Sequence, residues 1–178
     1  KLRVDNAQSS GTTDTTVKAV ANVGISSENK KKIDIEFDMG YYQSDAIKSD
    51  VHGEPDYGYG AVYILGNQGN LVPMLRIGKA NIGVDDDWGS GNLIISDKEI
   101  NKNDLTKPNH YKCSFDIESK KVTYYCNGTE IGSRDLKHNY INIINSGIEK
   151  IAFGTVMKVA LAGDPSAHRM EVDNFKIT

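Results

Sequence analysis

The chain has 178 residues and a formal net charge of -3, with 38% hydrophobic and 25% charged residues. This length is typical of one domain that buries roughly 70% of its unfolded surface, and the composition excludes an intrinsically disordered chain. The small net charge argues against a basic surface for nucleic acid or anionic lipid, and no apolar run approaches the roughly 20 residues of a membrane span. We therefore expect a single domain over residues 1–178, with neither a nucleic-acid nor a membrane partner.

Short runs rich in Ile, Val and aromatic residues, separated by Gly-rich turns, predict strands along most of the chain. The clearest run is 33–38, where three apolar residues alternate with three acids. In chain order the predicted strands are 15–23, 33–38, 59–65, 71–77, 92–96, 110–117, 122–127, 148–156 and 170–177. Pro73 favours an edge position or a bulge for its strand. The best helical candidate, 139–145, is too short to be stable alone. This pattern predicts an all-β fold, a two-sheet antiparallel β-sandwich of the jelly-roll kind.

Residues 110–127 predict a hairpin around a two-residue turn at Ser119 and Lys120. That register places Cys113 opposite Cys126 on one apolar face of the hairpin. Two cross-strand cysteines have a separation that allows a disulfide when they form a non-hydrogen-bonded pair. The alternative is two buried free thiols that behave as small hydrophobic side chains. The sequence leaves both alternatives open, and two cysteines do not define the redox compartment.

Three segments carry a family resemblance. The hairpin, which ends in Asn127-Gly128, is similar to the hairpin of concanavalin A-like and laminin-G-like sandwiches. The closing segment 172–177, Val-Asp-Asn-Phe-Lys-Ile, resembles the last strand of carbohydrate-binding modules in secreted polysaccharide-degrading enzymes, and 33–38 fits an early strand of the same modules. The resemblance implies a concanavalin A-like β-sandwich that is extracellular, monomeric and tethered to a catalytic domain, with a polysaccharide or oligosaccharide as its partner.

The acidic strand also bears on whether the chain is an enzyme. Jelly-roll β-glucanases carry Glu-Ile-Asp-Ile-Glu-Phe, whereas this chain has Lys32 at the nucleophile position, and lysine cannot form the glycosyl ester of a retaining mechanism. Asp34 and Glu36 share one face roughly 7 Å apart, so their distance alone leaves a displaced catalytic pair open. We favour a non-catalytic carbohydrate-binding module. The alternatives are a jelly-roll glycoside hydrolase or polysaccharide lyase, and a laminin-G-like adhesion domain that binds protein.

Candidate ligand-binding residues follow from how proteins bind sugars, with aromatic rings against apolar sugar faces and polar groups on the hydroxyls. Gly-rich surroundings suggest exposed loops, which carry function on sandwich scaffolds. Packing on the sheet is the alternative for each tyrosine, and a plain surface position is the alternative for the arginine. The candidates are Trp88, Tyr57, Tyr59, Tyr41, Tyr42, Asp85, Asp87 and Arg76.

Acidic clusters raise the question of calcium, which binds six to eight oxygen atoms. Asp45, Asp50 and Asp56 fall within one short segment. The family resemblance adds Asp173, because an aspartate at this place in related modules helps to hold a structural calcium. We therefore expect a structural Ca²⁺ with these four residues as candidate ligands, the alternative being solvated surface acids.

Overall fold

The computed structural model describes residues 1–6, 15–43, 58–66, 71–77, 82–83, 107–136, 138–157 and 168–178. These residues form eleven strands and one helix. The elements are β1 (Leu2–Asn6), β2 (Thr15–Ile25), β3 (Lys32–Gln43), β4 (Gly58–Leu65), β5 (Leu71–Ile77), β6 (Ile82–Gly83), β7 (Asn109–Asp116), β8 (Lys121–Cys126), β9 (Thr129–Asp135), α1 (His138–Ser146), β10 (Ile148–Met157) and β11 (His168–Ile177).

The strands form two antiparallel sheets. The six-stranded sheet has the order β1-β11-β3-β7-β8-β9, and the five-stranded sheet has the order β2-β10-β4-β5-β6. Apolar residues from both sheets share one buried cluster, so the sheets pack face to face. The predicted fold, an all-β jelly-roll sandwich, is confirmed.

The core forms because apolar side chains alternate along the strands. Ile33, Ile35 and Phe37 of β3 are fully buried, as the alternation in the sequence predicts. The Phe37 ring lies 6.0 Å from the ring of Tyr111 in its own sheet and 6.1 Å from that of Phe153 in the other sheet. Inward aromatic residues therefore join the two layers, and the intervening acids of β3 are left on the outer side.

Most predicted strands are present. All eight that fall within the described residues appear, whereas 92–96 lies outside the described residues. The pairing of β4 with β5 shifts beside Pro73, which confirms the predicted irregularity at that residue. Strand β6 was not predicted because it has only two residues, and β1 and β9 were not predicted because charged residues interrupt their apolar pattern.

The helix α1 covers the segment 139–145, which the sequence marks as the best helical candidate but as too short to be stable alone. Its residues Ile143 and Ile144 are buried in the core, and Ser27 Oγ donates a hydrogen bond to the Asn145 carbonyl at 2.9 Å. Gly147 follows with a φ of 97°, and a Cβ atom there would lie 2.5 Å from the Ile25 carbonyl oxygen. Tertiary packing therefore stabilises a helix that would be marginal in isolation.

The hairpin of β7 and β8 has the predicted apolar face but a different register. Asp116 pairs with Lys121, so the turn comprises four residues, 117–120, rather than two. Cys113 consequently lies opposite Tyr124, and Cys126 lies opposite Tyr111. The predicted pairing of the two cysteines is therefore wrong, and of the two alternatives that the sequence left open the structure has the buried free thiols.

Within the described ranges, no helix combines the length and the apolar composition needed to cross a bilayer.

Candidate functional site

The outer side of the six-stranded sheet carries a dense group of polar side chains where β3 lies between β7 and β11. We call this surface the polar face. Strand alternation places its members outward, because the residues between them belong to the core. Its members are Asp34, Glu36, Asp38 and Tyr42 of β3, His110, Lys112 and Ser114 of β7, Tyr125 of β8, and Arg169, Glu171, Asp173 and Asn174 of β11.

Asp34 is the most completely bound carboxylate of the polar face. Its Oδ1 accepts a hydrogen bond from Ser114 Oγ at 2.7 Å, and its Oδ2 lies 2.8 Å from Lys112 Nζ and 3.3 Å from Lys32 Nζ. Burial alone would raise the pKa of Asp34, but the hydrogen bonds from Lys112, Ser114 and Lys32 outweigh burial and hold that pKa below its usual range. Asp34 is therefore ionised at neutral pH.

His110 joins the other two acids of β3. Its Nδ1 lies 2.8 Å from Asp38 Oδ1, and its Nε2 lies 3.5 Å from Glu36 Oε2. Lys112 Nζ approaches the same glutamate at 3.9 Å. One imidazole and one ammonium group thus hold the row of carboxylates in fixed positions.

Asn174 contacts Asp38 from the neighbouring strand β11. The pairing of β11 with β3 shifts between Asp173 and Lys176, and Asn174 takes a left-handed φ of 49°, which asparagine tolerates better than most residues. Its side-chain amide donates to Asp38 Oδ2. This hydrogen bond is the main reason that the pKa of Asp38 lies below its usual range, with His110 adding to the effect against the opposing influence of burial.

Two half-buried tyrosines flank the charged network. The guanidinium of Arg169 lies 4.1 Å from the centre of the Tyr42 ring, and its Nε is 3.6 Å from Glu171. Tyr125 lies opposite Lys112, whose ammonium is 5.9 Å from the ring centre. Glu36, which pairs with Lys112, and Tyr42 are both on β3 and lie roughly 20 Å apart along the strand. The polar face is therefore long enough for a short oligosaccharide.

The structure places the sequence-predicted ligand-binding residues Tyr41, Tyr42 and Arg76 in three different environments. Tyr42 lies on the polar face, but the expectation for Tyr41 is wrong because its side chain points inward and is 1% exposed. Arg76 lies between the core residues Leu75 and Ile77, so its side chain faces outward from the other sheet. Tyr42 and Arg76 therefore lie on opposite outer faces and cannot contact the same sugar.

Other predicted residues lie outside the described part of the chain. These are Trp88, Tyr57, Asp85 and Asp87, together with the candidate calcium ligands Asp45, Asp50 and Asp56. Tyr59 belongs to β4, but its side chain lies outside the description.

The described residues around Asp173 do not by themselves form a calcium site. Its Oδ1 accepts a hydrogen bond from the Asn174 backbone N–H at 3.0 Å, and the carboxylate of its cross-strand neighbour Asp38 is bound by Asn174 and His110. In the ranges that the structure describes, no group of three or more His, Cys, Asp or Glu side chains is arranged to hold a metal ion. A calcium shell of six to eight oxygens is thus not assembled around Asp173 from these residues.

Several residues of the polar face were not singled out from the sequence. His110, Lys112 and Ser114 alternate with apolar residues in the predicted hairpin, which shows that they share a polar side of that strand. Sequence alternation does not show which strand lies beside them, and the contact of His110 with Asp38 joins positions 72 residues apart. Only the paired strands bring the acids and their partners together.

Comparison with known proteins places the chain in a fold class. No protein-family model matches it, and no curated protein sequence matches it. Solved structures do match: a sialidase (TM-score 0.51, 14% identity, 92% of this chain) and an alginate lyase from Pseudomonas aeruginosa (TM-score 0.51, 10% identity, 87% of this chain). A third match comes from endo-acting O-glycanases that human gut microbiota express to initiate mucin breakdown (TM-score 0.53, 11% identity, 92% of this chain).

The chain spans 14% of the sialidase chain, 68% of the lyase chain and 73% of the O-glycanase chain. At these identities the likeness establishes the fold alone, a two-sheet antiparallel β-sandwich of the jelly-roll kind.

Proposed function

We propose that the chain is a non-catalytic carbohydrate-binding module and that its glycan lies along the polar face. The observation that carries this proposal is the row of carboxyl groups on β3, fixed by His110, Lys112 and Asn174 and flanked by two tyrosines. Similar folds in a sialidase, an alginate lyase and an O-glycanase are consistent with a carbohydrate ligand.

The arrangement suits sugar hydroxyls because each polar group already has a fixed position. Carboxylates accept hydrogen bonds from hydroxyls, while the imidazole and ammonium groups donate to them. Groups held by neighbours lose little rotamer freedom on binding, which lowers the entropic cost of association. A sugar still exchanges water hydrogen bonds for protein ones, so we expect a Kd in the range of roughly mM to µM.

The charges on β3 favour binding over hydrolysis. A glycosidase needs a carboxylic acid with a raised pKa to protonate the leaving group. The pKa values of Asp34 and Asp38 are instead lowered, and Glu36 lies between Lys112 and His110. Lys32 at the nucleophile position of the β-glucanase motif is a further obstacle to a retaining mechanism.

The biological setting is part of the same proposal. We place the module outside the cell, tethered to a catalytic domain that acts on the polysaccharide it binds. A structural calcium held by Asp45, Asp50 and Asp56 remains a proposal, since those residues lie outside the described ranges. Repeating each binding measurement with and without a chelator tests the calcium: loss of binding or of thermal stability supports it, and identical curves contradict it.

A glycan microarray followed by calorimetry on the selected oligosaccharide tests the binding proposal. We expect Tyr42→Ala to weaken binding about tenfold, because it removes both the ring and the support of Arg169. Arg76→Ala is the matched control, since it removes a half-buried side chain from the opposite outer face. Loss of binding in the control variant with no change in Tyr42→Ala would move the site to the five-stranded sheet.

The two other functions have separate readouts. If the pure protein releases new reducing ends from a polysaccharide and Glu36→Gln abolishes that release, the chain is a glycoside hydrolase or a polysaccharide lyase, and the non-catalytic proposal fails. Capture of a matrix protein, with no signal on the glycan array, would instead support a laminin-G-like adhesion domain.

A further inference from the structure

Strand β2 forms one edge of the five-stranded sheet. It pairs with β10 on one side, and no strand of the described residues pairs with its other side. Proteins usually protect such edges with charges, proline, short length or a bulge. This strand has eleven residues with the sequence TTVKAVANVGI, in which Lys18 is the only charged residue and proline is absent. Its bulge lies near the end, at Gly24 with a φ of 57°.

The middle of this edge strand carries an unusual exposed side chain. Val20 is 58% exposed, more than any other large hydrophobic residue that the structure describes. It alternates with the exposed residues Lys18 and Asn22, so these three side chains lie on the same outer face. Val20 is also the midpoint of β2 (Thr15–Ile25).

We infer that β2 pairs antiparallel with β2 of a second copy of this chain, about a two-fold axis at Val20. In this register the two Val20 side chains lie opposite each other, and each Lys18 lies opposite Asn22 of the second copy. The two valines then cover each other, and no like charges meet. The two five-stranded sheets become one continuous ten-stranded sheet, which replaces the sequence-based expectation of a monomer.

Side-chain pairing selects this register among the symmetric ones. A two-fold axis at Lys18 would place two lysines directly opposite each other, which is destabilising. An axis at Asn22 would place Val20 opposite Gly24, leaving the valine without an apolar neighbour across the axis. Only an axis at Val20 brings the two exposed valines together.

The dimer has a geometric consequence for the site. A two-fold axis perpendicular to the continuous sheet keeps both polar faces on the same side of the dimer. If the proposed function holds, two sites could bind one polysaccharide chain and gain affinity through their high effective concentration. This consequence rests on the proposed function, whereas the dimer itself does not.

Sedimentation equilibrium of the full chain, without glycan and over a concentration series, tests the dimer. We expect Asn22→Lys to raise the dimer Kd about tenfold or more, because it places Lys18 opposite a new lysine on both sides of the axis. The double variant Lys18→Glu with Asn22→Lys should restore the dimer through two opposite-charge pairs. Ser133→Lys on β9 is the matched control, since it adds the same charge to an exposed position of the other sheet.

A wild-type chain that stays monomeric at every concentration overturns the inference. A dimer that Asn22→Lys leaves unchanged, or that the double variant does not restore, also overturns it, since either result excludes this register. Thermal unfolding of each variant checks that the fold is retained. Because no glycan is present, failure of the dimer leaves the proposed function intact, and failure of glycan binding leaves the dimer intact.

Discussion

At Asp34, the free-energy cost of burying a carboxylate is offset by three donors from two strands. Ser114 and Lys112 come from β7, and Lys32 precedes the aspartate on β3. Lys112 gains in return, because its hydrogen bond to Asp34 raises the pKa of the lysine. These contacts act as a unit, so removing one member leaves another charge without its partner.

Asp34→Asn tests this unit through its pH dependence. We expect the variant to lose about 1 to 2 kcal/mol of unfolding free energy at pH 7, because Lys112 loses its charged acceptor. A carboxyl whose folded-state pKa lies below the ordinary value of 3.8 stabilises the protein above that pH and loses this effect as pH falls through the folded-state pKa. The gap between wild type and variant in urea unfolding should therefore shrink from pH 7 to below pH 3.8.

Glu118→Gln is the control for that prediction, since Glu118 and Lys31 form a largely exposed pair at 3.5 Å. We expect no measurable change there. A pH-independent gap for Asp34→Asn would show that the carboxylate charge does not contribute.

A second prediction at the residue scale concerns the reactivity of the two buried cysteine thiols. Burial raises the pKa of both the Cys113 and the Cys126 thiols, so neither is reactive in the folded protein. A thiol reagent should label no cysteine in the native chain and both in denaturant, and a reductant should leave the melting temperature unchanged. A melting temperature that falls with reductant would establish the disulfide that the structure lacks.

Among the elements, the β7–β8 hairpin shows how the contacts within a turn determine the pairing register of two strands. Ser119 N–H donates to Asp116 Oδ1 at 2.8 Å, and this turn closes a four-residue loop. Lys120 ends the loop with a φ of 55°, a conformation that costs most side chains about 1 kcal/mol.

Lys120→Gly should stabilise the protein by up to about 1 kcal/mol, because glycine adopts a positive φ without steric strain. The matched control is Lys121→Gly at the first residue of β8, which should destabilise the protein by roughly 0.5–1 kcal/mol. Equal effects of the two substitutions on urea unfolding would argue against the four-residue turn.

Sequence patterning predicted the strands and the apolar face of this hairpin because both depend on alternation between neighbours. The register escaped prediction because a shift of two residues keeps every side chain on the same face, so Cys113 and Cys126 stay buried without facing each other. The sequence located the segment of helix α1 but not its stability, which comes from packing of Ile143 and Ile144 rather than from its own length.

The polar face could not be predicted from the sequence for a related reason. Its acids on β3 were visible as an alternating pattern, but their partners come from strands that are distant in sequence. Asn174 and Asp38 are 136 residues apart, and only the order of strands in the sheet brings them together. Tyr41 and Tyr42 were both assigned to an exposed loop because the predicted strand ended at residue 38, whereas β3 continues to Gln43 and its pleat directs their side chains to opposite faces.

On the scale of the whole molecule, aromatic contacts tie the two sheets into one unit. Phe37→Ala should cost about 3 to 5 kcal/mol, because it removes contacts to Tyr111 and Phe153 and leaves a cavity between the layers. Ser133→Ala, at an exposed position of β9, should cost less than about 1 kcal/mol. Chemical denaturation monitored by fluorescence and by circular dichroism measures both, and a small effect of Phe37→Ala would place the core elsewhere.

The two outer faces of the sandwich differ in character. The six-stranded sheet carries the charged network and two half-buried tyrosines, whereas Ala61, Tyr63 and Ala152 on the central strands of the five-stranded sheet form a separate buried cluster. The proposed glycan site lies on the outer face of the six-stranded sheet, and the proposed pairing between copies uses an edge of the other sheet. The two proposals therefore use separate surfaces and do not compete.

The most direct test of the central claim is an NMR titration of the isotope-labelled chain with the oligosaccharide selected on the array. Binding on the polar face predicts that the largest amide shift changes fall on β3, β7 and β11, including Tyr42 and His110, with little change on β4 and β5. Shift changes confined to the five-stranded sheet, or to the segment around Trp88 with the polar face unaffected, would contradict it.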